Sequence, residues 1–250
     1  MRGVARARIA VIAGAVALLE LLTRAGVIDR LTMIPPSAMA AHLRIMLLQG
    51  ELDAPMAETF TNISIAFVLS VLIGIAGGLV IHARRRIRRL VDPLLASYYA
   101  VPFFVFYPLL ITIFGLNRWP LIFIGFGFGA AAMVIATLNG LDRVPHVLRK
   151  VARVHGLGRA EEVWRVTLPA AAPHLAAGLK LALAYAFIGV IAGEFILSGT
   201  GLGHAIAYAY DSFDNPTMYA LMLLVVMLAI GLNVAIHLFE EHLVRRRWRT

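Results

Sequence analysis

Pro145-His146-Val147-Leu148-Arg149-Lys150-Val151-Ala152-Arg153-Val154-His155-Gly156-Leu157-Gly158-Arg159-Ala160-Glu161-Glu162-Val163-Trp164-Arg165-Val166-Thr167-Leu168-Pro169 is the longest polar interval of the chain, and its pattern is that of two short helices. Pro145 suits a first helical position. From there Val147, Leu148, Val151 and Ala152 share one face, and His146, Arg149, Lys150 and Arg153 share the other. Gly156 and Gly158 are placed to end that helix and turn the chain. The second helix opens with Glu161 and Glu162, where a helix N-terminus favours negative charge, and sets Glu161 four residues ahead of Arg165. Pro169 predicts a stop by Leu168, with Ala160, Val163, Trp164 and Thr167 as the apolar positions. A segment that merely joined two membrane spans would need no such construction. These residues therefore read as a docking element that offers a shaped surface to another protein.

The surroundings of this interval are apolar. Of 250 residues 60% are hydrophobic and only 15% charged, and the mean hydropathy of +0.83 is that of a polytopic membrane protein. A net charge of +9 invites a nucleic-acid reading, but the basic residues come in short blocks between long apolar runs, where topology accounts for them. No nucleic-acid partner is expected. The absence of cysteine excludes disulfides, thiolate nucleophiles and cysteine-ligated metals.

The fold class expected is all-α with six transmembrane helices. The first, 9–22, follows Arg2, Arg6 and Arg8. A cleaved leader would look similar, yet no small-x-small cleavage site precedes Thr23-Arg24, so a retained span is expected, with Glu20 facing protein or headgroups. An external segment follows, with Pro35-Pro36 and an amphipathic piece at 39–48. The second span, 61–81, carries Gly74 and Gly78 at a spacing that lets helices approach closely. Arg84, Arg85, Arg86, Arg88 and Arg89 then form a stop signal that suits contact with anionic lipid.

The third span, 93–115, is rich in aromatics, among them Tyr98, Tyr99, Phe103 and Tyr107, and is broken by Pro102 and Pro108. Prolines inside a membrane helix suit either a pathway lining or packed protein, and both readings stay open. The fourth span, 119–138, has Gly125, Gly127 and Gly129. The fifth, 174–197, holds Lys180 and Glu194 near its ends, where neither needs deep burial. An external connection with Gly199, Gly201, Gly203 and a helical piece at 204–210 leads to the sixth span, 218–239. With both termini cytoplasmic, internal segments hold 18 of the 23 Lys and Arg, which fixes the orientation.

At the opening stretch the sequence resembles the permease subunits of bacterial binding-protein-dependent ABC importers. Their signature is a Glu-Ala-Ala segment, a glycine, nine further residues, and an Ile-x-Leu-Pro ending. Gly156, nine residues and Val166-Thr167-Leu168-Pro169 keep that spacing, while Lys150-Val151-Ala152 stands for Glu-Ala-Ala. The resemblance covers roughly 58–240 and includes Val101-Pro102 after Asp92-Pro93, and Glu194 ahead of Gly201-Leu202-Gly203. That last pattern is similar to the nitrate, sulfonate, taurine and thiamine-precursor branch.

The resemblance implies a type I importer permease fold: an N-terminal helix and external segment (1–57), a transporter core (58–240) with a coupling loop at 141–169, and a basic tail (241–250). It implies an ABC ATPase subunit that binds the ATP, an external or periplasmic binding protein, a second permease copy and membrane lipid as partners, in a bacterial inner membrane. Arg149, Lys150, Arg153, Gly156, Glu161, Trp164, Leu168 and Pro169 are the coupling-loop candidates, the basic ones meeting acidic or polar groups of the ATPase. Tyr98, Tyr99, Pro102, Phe103, Tyr107, Glu194, Gly201 and Gly203 are the pathway or gate candidates. Glu194 is expected to face a partner near Gly201 to Gly203 rather than an anionic solute.

Other chemistries find no support in the residues. Lys150 and Lys180 are the only lysines, and neither sits in a phosphate-binding loop. No metal-binding spacing of histidines and no Gly-x-Ser-x-Gly elbow is present, so no cofactor, metal or catalytic group is assigned. The competing function is a self-sufficient ion-coupled carrier. Such a carrier usually needs ionisable groups at mid-membrane, and spans two to six lack them there.

Overall fold

The computed structural model describes residues 2–29, 32–98 and 101–247, with side chains described for all of these except 2–5, 8, 9 and 239–247. Among the described residues all regular structure is helical. The chain divides into two units: Met1–Glu58 with Glu194–Leu228, and Thr59–Gly193 with Ala229–Thr250.

In the first unit, α1 (Arg2–Arg24) is followed by α2 (Pro36–Gln49). Pro36 opens α2, where a missing N–H costs nothing, and Gly50 closes it at φ +72°. Met39, Leu43 and Met46 fall on one face and are buried. Glu20 ties the two helices together: its carboxylate accepts from the Ser37 amide at 2.9 Å, the Ser37 hydroxyl at 2.6 Å and Arg24 at 2.6 Å. The helix that holds the amphipathic piece is thus anchored by a carboxylate at its N-terminus, where the helix dipole favours one.

The second unit is built on α3 (Asp53–Ala83), α6 (Trp119–Asp142) and α9 (Leu168–Leu197). At about 1.5 Å per residue α3 extends about 46 Å, well beyond a hydrocarbon core of about 30 Å. Small residues set the contacts. A Cβ on Gly74 would lie 2.7 Å from Met133 Cγ and one on Gly78 2.6 Å from Thr137 Cβ, so this glycine pair fits α3 against α6 of the same chain. Gly125 meets Ala66 and Val190, and Gly129 meets Ser70 and the Ala182 carbonyl, so α6 lies between α3 and α9. Without a hydrophobic driving force between helices in lipid, such close backbone approach is what holds a bundle together.

Among the described residues four stretches are long and apolar enough to cross a membrane: Asp53–Ala83, Trp119–Asp142, a helical run within Arg159–Asp211, and Asn215–Leu238 in α11 (Asn215–Arg247). The expected third span is divided instead. The arginine block is itself helical, in α4 (Arg85–Ser97), and after it come a 3-10 turn at Phe103–Phe106 and α5 (Tyr107–Phe114). The eight residues of α5 cover only about 12 Å. Pro102 and Pro108 lack the donors that would carry one helix through. In α4, Ile87, Val91 and Leu95 are half-buried, one turn apart, while Arg85, Arg86 and Arg89 are exposed.

Candidate functional site

The interval between α6 and α9 folds as α7 (His146–Val154), a turn, and α8 (Arg159–Glu162). Gly156 has φ +72°, the left-handed turn that ends α7, and a Cβ there would meet nothing within 4 Å. Arg165 and Glu161 pair at 2.8 Å. The second helix does not stop at Leu168. Val163–Thr167 is a π-helical turn in which the Leu168 N–H bonds the Val163 carbonyl, and the chain runs on through Pro169 and Pro173 into α9. A proline clashes with the carbonyl four residues back in a regular helix, and the widened turn just before it relieves that clash.

Most of the apolar face of α7 is turned outward. Ala152 is its one buried residue, whereas Val147, Val151 and Val154 are 67%, 47% and 85% exposed, and Trp164 is 71% exposed beyond the turn. Lys150 and Arg153 are exposed, Glu161, Leu168 and Pro169 half-buried.

Arg149, expected among the outward basic residues, turns inward. Its guanidinium donates to the Leu141 carbonyl at 2.9 Å, one of the last carbonyls of α6, and lies 3.4 Å from His82 Nε2 at the end of α3. The end of a helix offers unpaired carbonyls and partial negative charge, and an arginine within reach is drawn to them more strongly than to water. His82 Nδ1 is in turn 3.2 Å from Asp142, which receives both arms of Arg88 at 2.6 and 2.5 Å. Those hydrogen bonds raise the Arg88 guanidinium's pKa further, so it remains charged throughout the physiological range. Sequence reasoning missed His82, Arg88 and Asp142 as a group: His82 and Arg88 are close in the chain, but Asp142 lies 54 residues beyond Arg88 on another helix.

The aromatic candidates gather beside α6. The Tyr98 hydroxyl donates to the Gly127 carbonyl, and the Phe103 ring fills the space a side chain on Gly127 would need. Phe103 also lies 4.9 Å from Tyr98, 5.6 Å from Phe106 and 5.1 Å from Phe128 between ring centres. Tyr107 is buried and Pro102 exposed, while Tyr99 lies outside the described residues. Among the described residues these rings are packed on one another and on a glycine.

Glu194, expected near an end with no need of deep burial, is 0% exposed. Its carboxylate accepts from the Gly203 N–H at 3.2 Å, in the first turn of α10 (Leu202–Asp211). Gly201 stands at φ +96°, and a Cβ on it would come within 2.6 Å of Glu194 Oε1. The three residues thus form one device: the left-handed glycine brings the start of α10 onto the carboxylate, and the helix N-terminus compensates its charge. Among the described residues no group of three or more His, Asp or Glu is placed to hold a metal ion.

Comparisons with known proteins agree with this architecture. A probable ABC transporter permease protein of Brucella melitensis is 28% identical over 200 residues, 80% of this chain and 81% of that protein. The taurine transport system permease protein TauC of Escherichia coli K12 is 27% identical over 199 residues, 78% of this chain and 72% of that one. A chain from the inward-facing conformations of the MetNI methionine ABC transporter superposes with a TM-score of 0.64 at 20% identity, covering 76% of this chain and 92% of that chain. At that identity the likeness carries the fold alone, and the fold is the type I importer permease fold expected from the loop. The family model for the binding-protein-dependent transport system inner membrane component matches residues 66–249, well over half of the chain, with α7, α8 and the Glu194 device inside it, and the chain belongs to that family.

Proposed function

We propose that this chain is the membrane-spanning half of an ATP-driven importer, working as a homodimer with two copies of an ABC ATPase and one external binding protein. The ATPase would bind and hydrolyse ATP and dock against α7 and α8. The solute would pass between the two permease copies. The observation that carries the reading is the family match across residues 66–249, which contains the α7–α8 loop with its outward Val147, Val151, Val154 and Trp164. Apolar side chains gathered at the surface of a polar loop are the kind of feature that marks an interaction site. Family membership speaks against the ion-coupled carrier.

The solute is a sulfonate, nitrate, taurine-like anion or vitamin precursor, and the likeness to the taurine permease supports a small anion or zwitterion. No arginine clamp lies among the aromatic candidates, so passage would rest on hydroxyls, backbone dipoles and the edges of Tyr98, Phe103 and Tyr107, with selection left to the binding protein. The termini and the α7–α8 loop would be cytoplasmic, following the placement of the basic residues. Lys150 and Arg153, both exposed, would meet acidic groups of the ATPase.

Reconstitution in liposomes tests the whole reading. Uptake of the solute bound by the cognate binding protein should require both ATP and the ATPase encoded beside the permease. Uptake by the permease alone would contradict it.

A further inference from the structure

We infer that Arg149, His82, Asp142 and Arg88 form a polar tether through which movement of α7 reaches α3, α4 and α6, a role that rests on the docking of an ATPase proposed above. The packing around α7 makes such a tether necessary. Only Ala152 of its nine residues is buried, so few apolar contacts hold the helix to the rest of its unit. Chain connection ties α7 to α6 and, through α8, to α9. Nothing in that connection reaches α3 or α4.

The polar side chains do. Arg149 on α7 holds the Leu141 carbonyl of α6 at 2.9 Å and faces His82 Nε2 of α3 at 3.4 Å. His82 Nδ1 faces Asp142 of α6 at 3.2 Å, and Asp142 grips Arg88 of α4 with both oxygens at 2.6 and 2.5 Å. Arg88 also approaches Asp92 of its own helix at 3.6 Å. The imidazole is thus placed with one nitrogen toward a carboxylate and the other toward a guanidinium. A neutral ring with its proton on Nδ1 satisfies both sides, since Nε2 can then accept from Arg149.

The set is also unevenly fastened. The Asp142–Arg88 end is bidentate and charge-assisted, the strongest polar contact side chains offer. At the other end, Arg149 Nε is buried without a hydrogen bond, and the guanidinium reaches His82 Nε2 only at 3.4 Å. A fixed structural knot would leave no buried donor unmet. Here the α6–α4 end is clamped and the α7–α3 end is held loosely, as suits a part that must change partners when α7 shifts. His82 is therefore a positioning residue: it touches neither solute nor ATPase and acts through Arg149.

The test uses the complete transporter in liposomes, with solute carried per ATP hydrolysed as the readout. His82→Leu fills the same space and removes only the polar link. It should leave ATPase binding and basal hydrolysis as in wild type and lower solute per ATP by about threefold or more, within the range by which residues along a coupling route act. His82→Gln, which keeps an acceptor toward Arg149 and a donor toward Asp142, should recover most of the loss. A spin label on Val154→Cys, in a chain without native cysteine, should become more mobile in the leucine variant. Wild-type coupling in His82→Leu would overturn the tether while leaving the docking proposal intact, and a glutamine variant as poor as the leucine one would show that shape, not polarity, matters there. Failure of the wild-type permease to bind the ATPase would instead overturn the reading on which the tether rests.

Discussion

The Glu194 device and the α7–α8 loop each hang on a glycine in the left-handed region, Gly201 at φ +96° and Gly156 at φ +72°. Their surroundings are opposite. Around Gly201 a side chain would strike the Glu194 carboxylate, which is wholly buried and bonded to the start of α10. Around Gly156 there is open space, and the neighbouring Val154 and Trp164 are exposed. One glycine closes a structure complete within the chain. The other shapes an exposed loop, and on the proposed docking role the contrast would separate a residue kept for folding from one kept for a partner.

Substitutions sharpen this contrast when permease stability and ATPase binding are measured side by side. The largest effect on stability is expected for Gly201→Val, because an unfavourable φ and a collision with a buried carboxylate add to a loss of about 3 kcal/mol or more, read as a fall in the thermal midpoint of the detergent-solubilised protein. Glu194→Gln comes next. It keeps an acceptor for Gly203 and gives up the charge that the α10 N-terminus favours, so a loss of about 1–3 kcal/mol is expected with the transported solute unchanged. A changed choice of solute in that variant, at normal expression, would make Glu194 a pathway residue. Gly156→Val should cost the permease about 1–2 kcal/mol from the left-handed backbone alone, since its side chain meets nothing. That variant should still insert and fold while transport falls. A Gly156→Val permease with normal uptake would remove the reason to read α7 and α8 as a coupling element.

How far the sequence carries depends on what each residue responds to. Gly156 was legible because a glycine between two amphipathic helices answers to local backbone geometry, and the Gly74 and Gly78 pair was legible because four-residue spacing is a property of one helix. Their partners, Met133 and Thr137 of α6, were not, since spacing names a face without naming what meets it. Arg149 illustrates the same limit. Periodicity grouped it with Lys150 and Arg153, yet it donates inward to the Leu141 carbonyl near the end of α6 and faces His82 at the end of α3. Pro169 failed as a stop signal because a π turn, which no composition rule announces, absorbs its clash. Glu194 was assigned near Gly203 from its motif, but its full burial follows from the way Gly201 folds α10 back onto it.

Trp164 gives the most direct measurement. It is 71% exposed, so Trp164→Ala should leave the thermal midpoint of the isolated permease almost unmoved, within about 0.5 kcal/mol of wild type. If α7 and α8 dock an ATPase, an exposed tryptophan in that loop is a strong candidate anchor of the interface. Binding of the cognate ATPase to the purified permease, titrated for wild type and Trp164→Ala, is then expected to weaken by about tenfold or more, equivalent to at least about 1.4 kcal/mol. An ATPase that binds both forms with the same affinity would contradict the assignment of this loop as the docking surface.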